Sequence, residues 1–179
     1  GVQTCALPIY GENNNVKNAE TAHGFGQYNR LFNEKLFCYL RVDALHDAVA
    51  DVEYRLTLSP GAGYYFIKEK DTTLSAEVGP GFVYEKQGAH SKGYLTLRAA
   101  ERFEHKFNDN VKMWQSLEIL PQVDHWKNYI LNSEIGVETS LTQKLSLRVY
   151  AQDTYDNVPA PGRLKNDLKL VTAIAYKIK

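Results

Sequence analysis

Sulfur is scarce in this 179-residue chain, with two cysteines and one methionine. Cys5 and Cys38 provide neither a disulfide framework nor a metal-ligand spacing. No apolar run approaches the ~18 residues that a membrane helix needs. Charge of one sign is lacking too, since 21 Lys and Arg balance 21 Asp and Glu. There is therefore no basic field to recruit nucleic acid, and no acidic tail. The mean hydropathy is that of a soluble protein, yet this does not exclude a membrane, because a spanning strand is apolar on one face only. The length suits one domain, at roughly 100–200 residues each.

What the chain does have is hairpin after hairpin, with links that alternate between short and long. The short links are Asn33-Glu34, Lys68 to Asp71, Asn108 to Asn110 and Thr142-Gln143. The long ones centre on His46 to Asp51, Lys86 to Lys92, Asp124 to Asn128 and Asn157 to Asn166. A soluble meander has no reason to keep its short turns on one rim. A bacterial transmembrane barrel does, with short periplasmic turns and longer outer loops.

Nine segments show the period-2 pattern of strands. From Leu131 to Leu141, Leu131, Ser133, Ile135, Val137, Thr139 and Leu141 alternate with Asn132, Glu134, Gly136, Glu138 and Ser140. From Leu168 to Ile178, Leu168, Leu170, Thr172, Ile174, Tyr176 and Ile178 share one face, with Lys169 and Lys177 on the other. Leu145, Leu147, Val149 and Ala151 oppose Ser146, Arg148, Tyr150 and Gln152. These lengths match the ~9–11 residues of a tilted membrane strand.

A near repeat, Leu58-Ser59-Pro60-Gly61-Ala62-Gly63-Tyr64 and Val78-Gly79-Pro80-Gly81-Phe82, places both prolines on the apolar face, equidistant from Lys70. Glycines 61, 63, 79 and 81 fall on the inward face. Proline inside a strand signals an edge or bulge, so the pair predicts a local bend with a thinned inner wall; a ligand-approach site is the alternative. No helix follows these glycines, so they cradle no phosphate.

Aromatics gather at strand ends. Phe32, Phe37, Tyr65, Phe66, Phe107 and Trp114 flank short turns, and Tyr84, Tyr94, Trp126, Tyr129 and Tyr155 flank long loops. Two belts are expected where amphipathic rings meet the two membrane–water interfaces. Glu101 and His105 take the outward phase of their strand, and Trp114 and Leu120 the inward phase of the next. A bulge would re-phase them.

Gly1 to Ile9 reads as the in-frame translation of a sequencing-library adapter, which makes it a non-native scar outside fold reasoning. Tyr10 to Glu20 then reads as a partial outer loop, and 21–179 as the barrel domain. Single-chain barrels have even strand numbers. The first visible strand, about Ala22 to Phe32, descends to the periplasm, so an odd number of strands is expected to be missing before it.

The inward set is charged: Arg55, Glu77, Arg98, Arg102, Glu104, Lys112, Glu118, Glu134, Glu138 and Arg148. Glu138 is predicted to face Arg148 across the turn at Thr142-Gln143, a stabilising cross-strand pair. Such charges either pair and fill a narrow lumen or line a polar pore; mixed signs argue against strong ion selectivity. Histidines 23, 46, 90, 105 and 125 show no ligand spacing, so no metal site is expected, and no cofactor. A barrel hydrolase needs serine, histidine and an orienting group in mutual hydrogen bonds. Ser116 and His105 lie on neighbouring strands in opposite phase, so no enzyme is expected.

Several segments together resemble the bacterial salt-induced outer membrane protein family, domain of unknown function 481. They are Tyr54 to Tyr64, Leu74 to Gly81, Arg102-Phe103-Glu104-His105-Lys106, Tyr155 to Gly162 and Asn166-Asp167. The resemblance covers about residues 20 to 179. It implies an outer-membrane barrel made after a secretory signal, with no catalytic residues to carry over. Tyr176-x-Ile178 is similar to a barrel-assembly signal, although Lys179 stands where such signals end in an aromatic residue.

The expectation is thus an all-β, antiparallel up-and-down transmembrane β-barrel, N-terminally truncated. It would sit in the outer membrane of a Gram-negative bacterium, with membrane lipid and the barrel-assembly machinery as partners, no nucleic acid and an unknown solute. A structural or stress-related role with a narrow polar lumen comes first. A small-solute diffusion channel and a soluble ligand-binding β-barrel are the alternatives.

Overall fold

The computed structural model describes residues 2–13, 16–48, 51–142, 145–159, 162 and 164–176, with side chains described from residue 21 to residue 175. It contains one antiparallel sheet whose strands follow chain order, each hydrogen-bonded to the next. They are β1 (Val2–Asn13), β2 (Val16–Leu31), β3 (Leu36–Asp47), β4 (Val52–Lys68) and β5 (Thr72–Gln87), followed by β6 (His90–Lys106), β7 (Val111–Pro121), β8 (Tyr129–Ser140), β9 (Leu145–Asp156) and β10 (Asn166–Tyr176). The fold is an all-β, up-and-down β-barrel. Contacts across the lumen join β10 to β3 and β4 to β9. Among the described residues β1 and β10 share no ladder.

The faces follow the period-2 pattern and are inverted relative to a soluble protein. Ile135, Val137, Leu170 and Ile174 are 54%, 47%, 79% and 71% exposed. Buried instead are Arg98, Glu85, Asp47, Thr57, Ser59, Ser75 and Thr96. A soluble ligand-binding barrel would enclose the first set and expose the second.

At the chain start two segments lie in paired strands. Residues 2–13, set aside as a scar, form a strand from Val2↔Tyr28 to Asn13↔Val16. The segment 10–20, expected to be a loop, lies in the paired strand ends around Tyr10↔Glu20. An extended segment beside β2 takes up the N–H and C=O groups of that edge, which no barrel leaves open in lipid. Residues 14–15 lie outside the described residues, as do Lys177 to Lys179.

The short rim is built by one repeated device. Asn33 Oδ1 accepts from the N–H groups of Lys35 and Leu36, at 2.9 and 2.7 Å. Asn108 Oδ1 does the same for Asn110 and Val111, both at 2.9 Å. Thr142 Oγ1 accepts from Leu145 N at 3.0 Å. These side chains mimic a backbone turn and so close a four-residue hairpin.

On the other rim the strand bounds leave long links at 122–128 and 157–165. The expected loop at Lys86 to Lys92 is a tight turn, with Gln87 opposite His90. Gly88 has φ 57° there, a conformation open to glycine at no steric cost. The two strands simply continue to this turn, where their outward positions become polar.

The glycine-rich inner wall is filled from the neighbouring strand. Phe37 lies opposite Gly63 and Tyr39 opposite Gly61. A Cβ at Gly63 would overlap the Phe37 ring, and one at Gly61 the Tyr39 ring. Gly136 sits between Trp114 on β7 and Tyr150 on β9, both directly opposite it. Aromatic side chains covering strand glycines in this way pin register. The β4–β5 ladder opens between Leu58↔Phe82 and Ala62↔Val78, where Pro60 and Pro80 sit across from each other. Neither proline can donate a ladder bond.

Four of the expected rim aromatics, Phe37, Tyr65, Tyr94 and Trp114, thus turn into the lumen, with Tyr65 on Phe37 at 5.0 Å between centroids and the Tyr94 hydroxyl on Glu85. Phe32, Phe66, Phe107, Tyr84 and Trp126 do face outward. The β5–β6 and β6–β7 ladders run without a bulge, so Glu101 and His105 keep their outward phase and Trp114 and Leu120 their inward one.

Ile135→Arg on the outward face is expected to destabilise the barrel by ~2–4 kcal/mol near the midplane, measured by urea titration in lipid vesicles. Gly136→Val drives a side chain into Trp114 and Tyr150. It is expected to cost about 1–3 kcal/mol through overpacking, whereas Gly26→Val, where a Cβ meets nothing, should cost less in the same titration.

Candidate functional site: the charged lumen

The lumen is a cavity of about 1610 Å³ that touches residues of both rims. Arg55, Glu77, Arg98, Arg102, Glu104, Lys112, Glu118, Glu134, Glu138 and Arg148 all line it. They form three groups stacked along the axis.

The middle group centres on Arg98, which is 4% exposed. Its Nη1 donates to Glu77 Oε2 at 2.8 Å and its Nε to Glu118 Oε2 at 2.5 Å. Gln27 Nε2 reaches from β2 to Glu77 Oε1 at 2.8 Å, and Asn132 Nδ2 from β8 to Glu118 Oε1 at 3.2 Å. Thr154 on β9 donates to Asn132 at 3.1 Å. On the far side Arg41 Nη1 donates to Gln27 Oε1 at 3.3 Å and grips Asp43 through Nη2 and Nε, at 2.6 and 2.8 Å. His23 Nε2 lies 3.5 Å from Asp43. The result is a hydrogen-bonded girdle around the inner wall from β9 to β3. It passes β4 where Gly61 and Gly63 leave the wall thin.

The group at the long-loop rim crosses the lumen. Arg55 pairs with Glu85 on the adjacent strand and lies 3.6 Å from Asp156 on β9. Lys92 and the Tyr94 hydroxyl also approach Glu85, at 3.2 and 3.1 Å. Lys169 Nζ of β10 pairs with Asp47 on β3 at 3.0 Å and Asp167 at 2.6 Å. Asp47 also accepts from Thr21 Oγ1 at 3.0 Å.

Near the short turns Glu138 gathers three donors: Arg148 Nε at 2.7 Å, Lys112 Nζ at 3.3 Å and Ser146 Oγ at 2.8 Å. Arg148 is directly opposite Glu138 in the ladder, as the spacing predicts. Its guanidinium lies 5.3 Å from the Trp114 ring centroid, and Trp114 Nε1 donates to Glu134. Arg102 pairs with Glu104 at 2.7 Å.

Sequence reasoning missed Arg41, Asp43, Asp47, Glu85, Asp156 and Lys169. The signal was present for Glu85, which shares the inward phase with Glu77, Gly79, Gly81 and Val83. The others needed the cross-lumen geometry. Among the described residues no three His, Cys, Asp or Glu side chains group as metal ligands. His105 Nδ1 meets Thr72 Oγ1 at 2.9 Å, on the outside of the wall, while Ser116 lines the lumen.

An antiparallel up-and-down sheet with apolar positions turned out and a salt-bridged polar lumen defines a β-barrel of the inverted kind. A crystal structure of the NanC porin in a rhombohedral crystal form superimposes with TM-score 0.60 at 8% identity, covering 99% of this chain and 94% of the porin chain. The family model described as protein of unknown function, DUF481, matches residues 4–178, and the chain belongs to that family. Among curated proteins none matches.

Arg98→Met would leave Glu77 and Glu118 without their shared cation. It is expected to cost about 3–5 kcal/mol, as for other buried pairs that lose one partner. Glu77→Gln/Arg98→Met/Glu118→Gln, which removes all three charges, should recover most of that loss in the same urea titration.

Proposed function

We propose that this protein is an integral outer-membrane β-barrel of structural, non-enzymatic role, whose narrow polar lumen is held shut by its own ion pairs. One observation carries the reading: on the strands whose side chains are described, the outward phase is mostly apolar while the inward phase is charged and largely paired. Hydrocarbon is the solvent that rewards this inversion, since outward apolar bands and polar interiors define spanning barrels. Family membership and the porin-like fold support the same setting. Lipid is then the main partner, and the barrel-assembly machinery is the partner during insertion, reading Tyr176-x-Ile178.

The second reading, a small-solute diffusion channel, is favoured by the continuity of the cavity from rim to rim. The two are separated in planar bilayers. Conductance indistinguishable from protein-free lipid is expected for the intact chain. Asp47→Asn/Asp156→Asn, which weakens both contacts across the outer mouth while Asp167 and Glu85 still hold Lys169 and Arg55 to the wall, is expected to raise conductance measurably. Discrete steps from the unaltered protein would establish the channel instead. Recovery of the protein in the soluble fraction of a Gram-negative host would overturn the membrane setting altogether.

A further inference from the structure

One rung of the lumen wall is bonded unlike its neighbours. Across β6 to β9, Arg102 is opposite Ser116, Ser116 is opposite Glu134, and Glu134 is opposite Gln152. All four line the lumen, and all are half-buried. The rungs on either side are spent. Towards the long loops Glu118, Asn132 and Thr154 are tied into the girdle. Towards the short turns Trp114 and Tyr150 are buried, and beyond them Lys112 and Arg148 are held by Glu138.

This rung keeps most of its hydrogen-bonding capacity. Arg102 gives Nε to Glu104 on its own strand at 2.7 Å, and among the described residues its Nη1 and Nη2 have no partner. Ser116 and Gln152 have none either. Glu134 accepts from Trp114 Nε1 alone. Every other described carboxylate at an inward strand position has a cation at ion-pair distance. Glu134 has none among the described residues. An enclosed ion without a counter-ion is costly, and a few unspent polar groups converging on a cavity are how small-molecule sites fix their ligands.

We propose that this rung is a binding subsite for a small zwitterion with a carboxylate and a primary ammonium, entered from the short-turn mouth. Arg102 offers Nη1 and Nη2, the two-pronged donor that fits a carboxylate. Glu134, with Ser116 Oγ and Gln152 Oε1 on its two sides, supplies acceptors for the three N–H bonds of an ammonium. Strands lie ~4.8 Å apart, so the backbones bearing Arg102 and Glu134 stand about 10 Å apart. Two hydrogen bonds of ~2.8 Å then leave room for opposite charges on the same or neighbouring carbons. That is the span of an α- or β-amino acid. A simple anion would meet Glu134 and Glu104, and a simple cation would meet Arg102, so either satisfies only half of the rung. The inference rests on the barrel reading of the lumen and not on whether the lumen conducts. The contacts that cross the tube lie at the opposite mouth, whereas the pairs near the short turns run along the wall.

The test is isothermal titration of glycine and of β-alanine into the full chain folded in detergent micelles. Acetate and methylammonium are the single-charge probes. In a Trp126→Phe background Trp114 is the remaining tryptophan, and its bond to Glu134 makes its emission a second readout. Saturable heat and a saturable emission change are expected with at least one of the two zwitterions. Acetate and methylammonium should bind about tenfold more weakly, since each forgoes one charged hydrogen-bond set. Arg102→Met and Glu134→Gln are each expected to weaken zwitterion binding by about tenfold in the calorimeter, with folding checked by heat-modifiable mobility. Ser116→Ala, which keeps both charges, should weaken it several-fold. Where Glu134→Gln fails to fold, Arg102→Met and Ser116→Ala decide. Absence of saturable heat from both zwitterions would overturn the subsite. So would acetate or methylammonium binding as tightly, or an affinity unchanged by Arg102→Met. An unaltered chain that never acquires heat-modifiable mobility would sink the barrel reading instead.

Discussion

Every strand of this barrel sends half of its side chains into a closed space, and that half carries most of the charge. Enclosed charges must find one another, because an unpaired ion away from water costs several kcal/mol. The girdle around Arg98 is the clearest consequence. One guanidinium satisfies two carboxylates on the flanking strands, and each carboxylate accepts a further amide from a more distant strand. The same bonds that neutralise the charges fix the positions of the strands that bear them. In a soluble barrel an apolar core would set these distances; here the work falls to polar contacts of fixed geometry.

Steric fit supplies the other half of that role. The inner wall of β4 and β5 is thinned by glycines, and Phe37 and Tyr39 of β3 fill the space directly opposite. Gly136 is covered from both sides by Trp114 and Tyr150. Large rings and absent side chains are paired across single ladder rungs, so a one-residue slip would set rings against side chains. Charge pairing and ring-over-glycine packing thus specify the same register, and agreement between levels is what makes a sequence select one structure.

Strands whose outward phase is uninterrupted were legible from the sequence: Leu131 to Leu141 and Leu145 to Tyr155 read correctly residue by residue, down to Glu138 facing Arg148. Legibility failed at polar strand ends. At Glu85 to Lys92 both phases are polar, so two strand ends joined at Gly88 looked like a loop, and Tyr10 to Glu20 misled in the same way. Phe37 and Trp114 were placed by height but not by face, since a ring near a rim can serve a belt or the lumen. The cross-lumen partners Asp47, Asp156 and Lys169 could not be found by periodicity. Phase says that a side chain points inward, and only the closure of the sheet says what it meets there.

That closure gives the lumen two unlike ends. Near the short turns Glu138, Arg148, Lys112 and Ser146 pair along one wall and leave the middle of the tube free. At the opposite mouth Lys169 spans from β10 to β3 and Arg55 approaches β9 from β4, so the bonds run across the tube. A pair along the wall braces neighbouring strands, whereas a pair across the tube also occupies the path. Partly buried pairs resist screening better than exposed ones, so the mouth stays bridged at ionic strengths that would loosen a surface pair. The contacts that run across the lumen are therefore concentrated at the long-loop rim, in two ion pairs whose four residues lie on four different strands.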